Sequence, residues 1–83
     1  MAIRAYVLID LEEGIEQKRG HEILREIRAV EGTDFVDMVD GPHDIIAMIE
    51  VPATFDAISK AMREIEGVAR VQMCRMLGVH KEW

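Results

Sequence analysis

Cysteine is nearly absent from this chain: Cys74 is the only one among 83 residues. An intrachain disulfide is therefore impossible, and a reducing, cytoplasmic compartment is the expectation. No apolar run approaches the roughly 18 residues of a membrane span, and the N-terminus carries neither the basic region nor the cleavage pattern of a secretory signal. The sequence predicts a soluble, unexported protein with no membrane partner. Positive charge is also scarce, with 10 Lys and Arg against 16 Asp and Glu and a net charge of −6. That balance argues against a nucleic-acid surface, which needs clustered cations to displace counterions from phosphates.

Motifs for chemistry are missing as well. The chain has no Gly-x-Gly-x-x-Gly, no P-loop and no visible Ser-His pairing, so no cofactor is expected and the enzyme class is disfavoured. Glu12-Glu13 reads more simply as a solvated acidic turn than as a pair of catalytic carboxylates. His21, His80 and Cys74 do not fall at the spacing of a zinc site, and no metal is expected.

What the chain does have is apolar surface in excess. Hydrophobic residues make up 49% of the composition, while a domain this small buries only about two thirds of its unfolded surface. Subunit association is the expected sink. The pattern along the chain says where that surface lies. Ala2 to Ile9 alternates Ile3, Ala5, Val7 and Ile9 against Arg4, Tyr6 and Leu8, a strand with apolar character on both faces. From Ile15 to about Val30, Gly20, Ile23, Leu24 and Ile27 follow helical spacing. Gly20 on that buried stripe is expected to permit close helix-to-sheet approach, and Gly32 to cap the helix in the left-handed conformation. The remaining Arg19, Arg25 and Arg28 interleave with Glu16, Glu22 and Glu26 as a solvated face.

A hairpin follows. Phe35-Val36-Asp37-Met38 and Ile45 to Val51 flank the turn Val39-Asp40-Gly41-Pro42-His43-Asp44. Its second strand points Ile45, Ala47, Ile49 and Val51 one way and Ile46 and Met48 the other, so it must be covered twice. Pro52 is expected to stop that strand, and Thr54 to cap a second helix with the stripe Phe55, Ile58, Ala61, Met62 and Ile65. Glu66-Gly67 repeats the Glu31-Gly32 ending. Val68 to Leu77 is then a last strand, with Ala69, Val71 and Met73 on one side and Val68, Cys74 and Met76 on the other.

The order β-α-β-β-α-β predicts a single α+β domain spanning residues 1–83: a ferredoxin-like, four-stranded antiparallel sheet with both helices on one face. The other face, with Tyr6, Leu8, Ile46, Met48 and Met76 among its candidates, is left bare. Two subunits are expected to pack sheet against sheet there, as a dimeric α/β barrel.

Ala5-Tyr6-Val7-Leu8-Ile9 with a Gly14-led helix, Val30-Glu31-Gly32, the Gly41-x-x-Asp44 hairpin and Glu66-Gly67-Val68-Ala69-Arg70-Val71 together resemble the effector-binding domain of the Lrp/AsnC transcription regulators, also called the regulation-of-amino-acid-metabolism (RAM) domain. The resemblance spans nearly the whole chain. It implies a small-molecule effector, an amino acid, bound between dimers of a higher homo-oligomer, with Gly41, Pro42, His43, Asp44 and Ile45 as ligand-binding residues. Full-length members carry a helix-turn-helix domain, and this chain opens directly on its first strand without one. A stand-alone member is the expectation, with no direct nucleic-acid binding by itself and with full-length Lrp/AsnC regulators as candidate partners.

Chemistry suits the turn. Its backbone N–H groups can converge on a carboxylate, and Asp44 can accept hydrogen bonds from an α-ammonium. Asp44 can equally cap the hairpin backbone, and His43 can be a plain loop imidazole. Two other classes stay open. An ACT-like regulatory domain shares the element order, binds amino acids at a glycine-bearing loop after the first strand, where Gly14 lies, and joins sheets edge to edge. A small dimeric α/β-barrel enzyme is the other.

Overall fold

Strand alternation in β1 (Ile3–Leu11) decides the two sides of the molecule. Ala5, Val7 and Ile9 are fully buried, while at the alternate positions Arg4 and Tyr6 are exposed and Leu8 is half-buried. The computed structural model describes residues 3–51 and 55–76. Within them the order is β1, α1 (Gln17–Arg28), β2 (Thr33–Met38), β3 (Ile45–Val51), α2 (Asp56–Arg63) and β4 (Val68–Arg75). Pro52, Thr54, Leu77 and His80 lie outside the described residues, so the expected strand stop and helix cap fall there too.

The strands form one sheet in the order β2-β3-β1-β4, every neighbouring pair antiparallel. This is the ferredoxin-like β-α-β-β-α-β topology expected from the sequence. Residues paired across β1 and β3 share a face: Ala5 with Ile49, Val7 with Ala47 and Ile9 with Ile45. These six are fully buried, and Ile23 and Ile27 of α1 and Met62 of α2 close over them with no exposed surface. Each such Ile or Met adds about 1.5–3 kcal/mol of burial free energy.

The opposite face carries Tyr6 beside Met48 and Leu8 beside Ile46, with Phe35 beside Met48 and Cys74 beside Tyr6. Leu8, Ile46 and Met48 are half-buried, whereas Tyr6 is 40%, Phe35 39% and Met76 36% exposed. Strand pairing therefore fixes the bare face as the one that holds all five apolar residues expected on it. Its perimeter is polar. Arg4 donates to Glu50 at 2.6 Å, a bond that raises the Arg4 guanidinium above its ordinary pKa, and Asp10 with its β4 neighbour Arg70 stands towards the other end.

Three local expectations are corrected. α1 starts at Gln17 rather than Ile15, because Gly14 at φ +80° makes a turn in which the Ile15 N–H donates to Glu12 O at 3.3 Å. Gly32 is not the residue that caps α1: Ala29 is the C-cap, and Gly32, at φ +98°, turns the chain into β2. The second half repeats this, with Glu64 as C-cap and Gly67 at φ +101°. The paired bonds Val30 N–H to Ile27 O and Ile65 N–H to Met62 O confirm the echo. Lastly, β4 is bulged. Asp10 pairs with Arg70 but Leu11 with Val68, so Ala69 is an extra residue. The bulge swings Val68 onto the core and leaves Ala69 exposed, the reverse of the strict alternation expected there. A second irregularity in β2 skips Asp34 between Thr33 and Phe35.

Glycine has a steric reason at Gly67, where a Cβ would stand 2.8 Å from Ile23 Cδ1 and 3.1 Å from Ile15 Cδ1. It has less of one at Gly20. A Cβ there would lie 3.5 Å from Met38 Cε, ordinary contact, so close approach does not by itself require glycine. Arg19 ties α1 to the same turn, donating to Glu26 at 2.7 Å and to Glu66 O at 2.6 Å. The helix face read as solvated thus includes one long-range tether.

Candidate functional site

The site is built where β1 runs out past the end of β3. The last rungs of the ladder pair Ile9 with Ile45, which brings the hairpin turn alongside Asp10 and Leu11. Asp44 N–H donates to Ile9 O at 3.0 Å, and Val39 N–H donates to Asp44 O at 3.0 Å. Two residues further along β1, beyond the start of β3, Leu11 N–H donates to the Asp44 carboxylate Oδ2 at 2.8 Å. The side chain extends the ladder by one rung. His43 Nδ1–H donates to Asp10 Oδ1 at 2.8 Å, both side chains about one quarter exposed.

Beside this junction lies an open pocket of about 350 Å³, within the size range of small-ligand sites. Leu11, Gly20 and Met38 give it an apolar wall, and Glu12, Glu13, Glu16 and Asp44 give it carboxylates. Gly14 is also part of the lining. No Lys, Arg or His of the described residues lines it. The floor includes the start of α1, Glu16 and Gln17. Helix bonding begins with Gly20 N–H to Glu16 O, and no side chain caps the helix. The first-turn amides ahead of Gly20 are therefore without a helix partner and carry the positive end of the dipole. An ammonium suits the carboxylates, and a carboxylate suits those amides.

Of the five residues expected to bind ligand, Asp44 lines the pocket. Gly41 and Pro42 are exposed in the turn, Ile45 is wholly buried in the core, and His43 is engaged with Asp10. Asp44's own amide, one candidate for meeting a ligand carboxylate, is committed to Ile9 O. Sequence reasoning did not assign Leu11, Met38 or the start of α1 to the site. The signal for Leu11 was the strand register, since pairing Ile9 with Ile45 brings the end of β1 alongside Asp44. The pocket also joins what the sequence kept apart: Gly14, the ACT-like candidate, and Asp44, the Lrp/AsnC-like one, line the same cavity. Among the described residues no group of three or more His, Cys, Asp or Glu could hold a metal ion, and no helix is long and apolar enough to cross a membrane.

No family model matches the chain, and no curated protein matches it. Solved structures do. TTHA0845 from Thermus thermophilus superposes with a TM-score of 0.79 at 22% identity, over 96% of this chain and 99% of that one. MtbAldR superposes at 0.78 with 12% identity, over 98% of this chain and 56% of its own. AsnC of E. coli does so at 0.76 with 12% identity, over 98% and 54%. The chain thus spans about half the length of the last two and nearly all of the first. At these identities the likeness shows the fold: it is the RAM-like fold of the Lrp/AsnC proteins. AsnC and MtbAldR, of the Lrp/AsnC family, are among the neighbours that share it.

Proposed function

We propose that the chain is an effector-binding regulatory domain of Lrp/AsnC type, which takes an amino acid into the pocket beside Asp44. The observation that carries this reading is the coincidence of two facts. The hairpin turn singled out by the family resemblance is the one whose aspartate lines a ligand-sized pocket, and the fold around it is shared with AsnC. In this reading Asp44, with Glu12 and Glu13, meets the α-ammonium, and the first-turn amides of α1 meet the carboxylate. The acidic lining favours ligands with more positive charge, so lysine and arginine should rank above aspartate and glutamate.

The bare sheet face supports the second half of the proposal. Two copies pack through Tyr6, Leu8, Ile46 and Met48, and dimers meet around the open pocket in a higher homo-oligomer, where effector binding favours one assembly over another. Transcription is then modulated through association with full-length Lrp/AsnC regulators. An ACT-like domain is the second reading, supported by Gly14 on the same pocket; it differs in joining sheets at their edges.

A thermal-shift screen of the twenty amino acids tests the proposal. A ligand at a hundredfold its Kd stabilises the folded form by about 2.7 kcal/mol, which raises Tm by roughly 10 °C or more in a domain this small. A flat screen, with no amino acid shifting Tm at millimolar concentration, would remove the effector reading.

A further inference from the structure

We infer that Asp10 and His43 are positioning residues for the pocket, forming with Leu11 and Asp44 a clasp that grips the end of β1. The inference rests on the site proposed above but concerns residues that do not line the pocket. Consecutive β1 residues are held by consecutive turn residues: Asp10 by His43 at 2.8 Å and Leu11 by Asp44 at 2.8 Å. The two rungs have different surroundings. Asp10 shares the bare face with Tyr6 and Leu8, whereas Leu11 and Asp44 belong to the pocket wall.

This arrangement explains three features together. His43 is only about one quarter exposed although it belongs to a turn whose neighbours Gly41, Pro42 and Asp44 are exposed. Asp44 has its backbone N–H, backbone C=O and side chain all engaged at the junction, so its carboxylate direction depends on how firmly the turn lies against β1. The turn itself has little else to hold it. Gly41 has no neighbouring atom within 4 Å of where a Cβ would stand, and among the described residues the only side-chain bonds from the turn to the rest of the chain are the two rungs. Loss of the His43 rung should therefore loosen Asp44, and any event on the bare face at Asp10 reaches the pocket through one residue of chain.

Amide hydrogen exchange followed by NMR tests the clasp on the 83-residue chain without any ligand. His43→Ala should speed exchange of the Leu11 amide tenfold or more, while the core amides of Val7 and Ala47 stay within twofold of wild type. Asp10→Ala should do the same, and Asp10→Asn, which keeps a carbonyl acceptor for the imidazole N–H, should restore slow exchange at Leu11. A Leu11 rate unchanged within twofold in both alanine variants would overturn the inference. So would acceleration that merely tracks Val7 and Ala47, because that signals global destabilisation rather than a local clasp. The measurement needs no effector, so the clasp can fail while the effector reading stands, and a flat amino-acid screen leaves the clasp untouched.

Discussion

Asp44 is asked to do two things, and substitutions separate them. In Asp44→Ala the Leu11 amide loses its acceptor. A hydrogen bond to a charged group contributes about 1.5–3 kcal/mol when water cannot replace it. Here Asp44 is exposed and Leu11 half-buried, so water recovers much of the loss and a net cost of about 1 kcal/mol is expected. For a domain of this length that lowers Tm by roughly 4–8 °C. Asp44→Asn retains a side-chain carbonyl that can accept from Leu11, so its Tm should fall by no more than about 2 °C. The negative charge is gone in both. If Asp44 meets the ligand ammonium, both variants lose about 1.5–3 kcal/mol of binding, a roughly tenfold to hundredfold rise in Kd. Calorimetric titration with whichever amino acid gives the largest thermal shift, run beside melting curves of the same samples, reads both quantities. Wild-type affinity in Asp44→Asn would refute the binding role and leave Asp44 as a backbone strut.

Met48→Glu, on the bare face, should convert the wild-type assembly to monomer or unfold the chain, because an unpaired charge would be buried between sheets; sedimentation of the wild type as a stable monomer at micromolar concentration would refute that interface. Gly67→Ala should destabilise the fold by about 2–3 kcal/mol in urea titration, combining the left-handed backbone penalty of roughly 1–2 kcal/mol with the clash against Ile23. Gly14→Ala, also at positive φ but with open space at its Cβ, should cost only the backbone part, about 1 kcal/mol, and equal losses at the two sites would refute the steric account. The 83-residue chain should give no sequence-dependent gel retardation at physiological salt, and specific retardation by the pure protein would overturn that expectation.

The element order, the α1 stripe and the membership of the two sheet faces were legible in the sequence because alternation and helical spacing are properties of neighbours a few residues apart; on α2 the stripe holds at Ile58 and Met62, but Ser59 is buried and Ala61, expected on it, is exposed. Ala5, Val7 and Ile9 needed no tertiary knowledge to be sorted from Tyr6 and Leu8. The exceptions have tertiary causes. The bulge at Ala69 depends on how β4 meets the end of β1, and it reversed the sides of Val68 and Ala69. The early turn at Gly14 and the late position of Gly32 depend on loop hydrogen bonds that no periodicity encodes. For the candidate site, family resemblance singled out the hairpin turn, but only strand register joins it to Leu11 and to the start of α1, residues far away along the chain. For Asp44 the sequence offered two alternatives, ligand contact and turn cap. The geometry supplies the Leu11 bond that makes the backbone role concrete.

Both register irregularities fall on the outermost strands, Asp34 on β2 and Ala69 on β4. An outer strand with regular, unpaired N–H and C=O groups is a template for any other extended chain, including another copy of itself. An extra residue breaks the spacing of those groups at each margin, and acidic Asp34 and Asp37 on one side and Arg70 and Arg75 on the other add charge that a docking strand would have to accommodate. Growth of the sheet by accretion is thereby discouraged in both directions. The margins are thus poor templates for a further strand, while the flat of the sheet leaves Tyr6, Phe35 and Met76 open to contact.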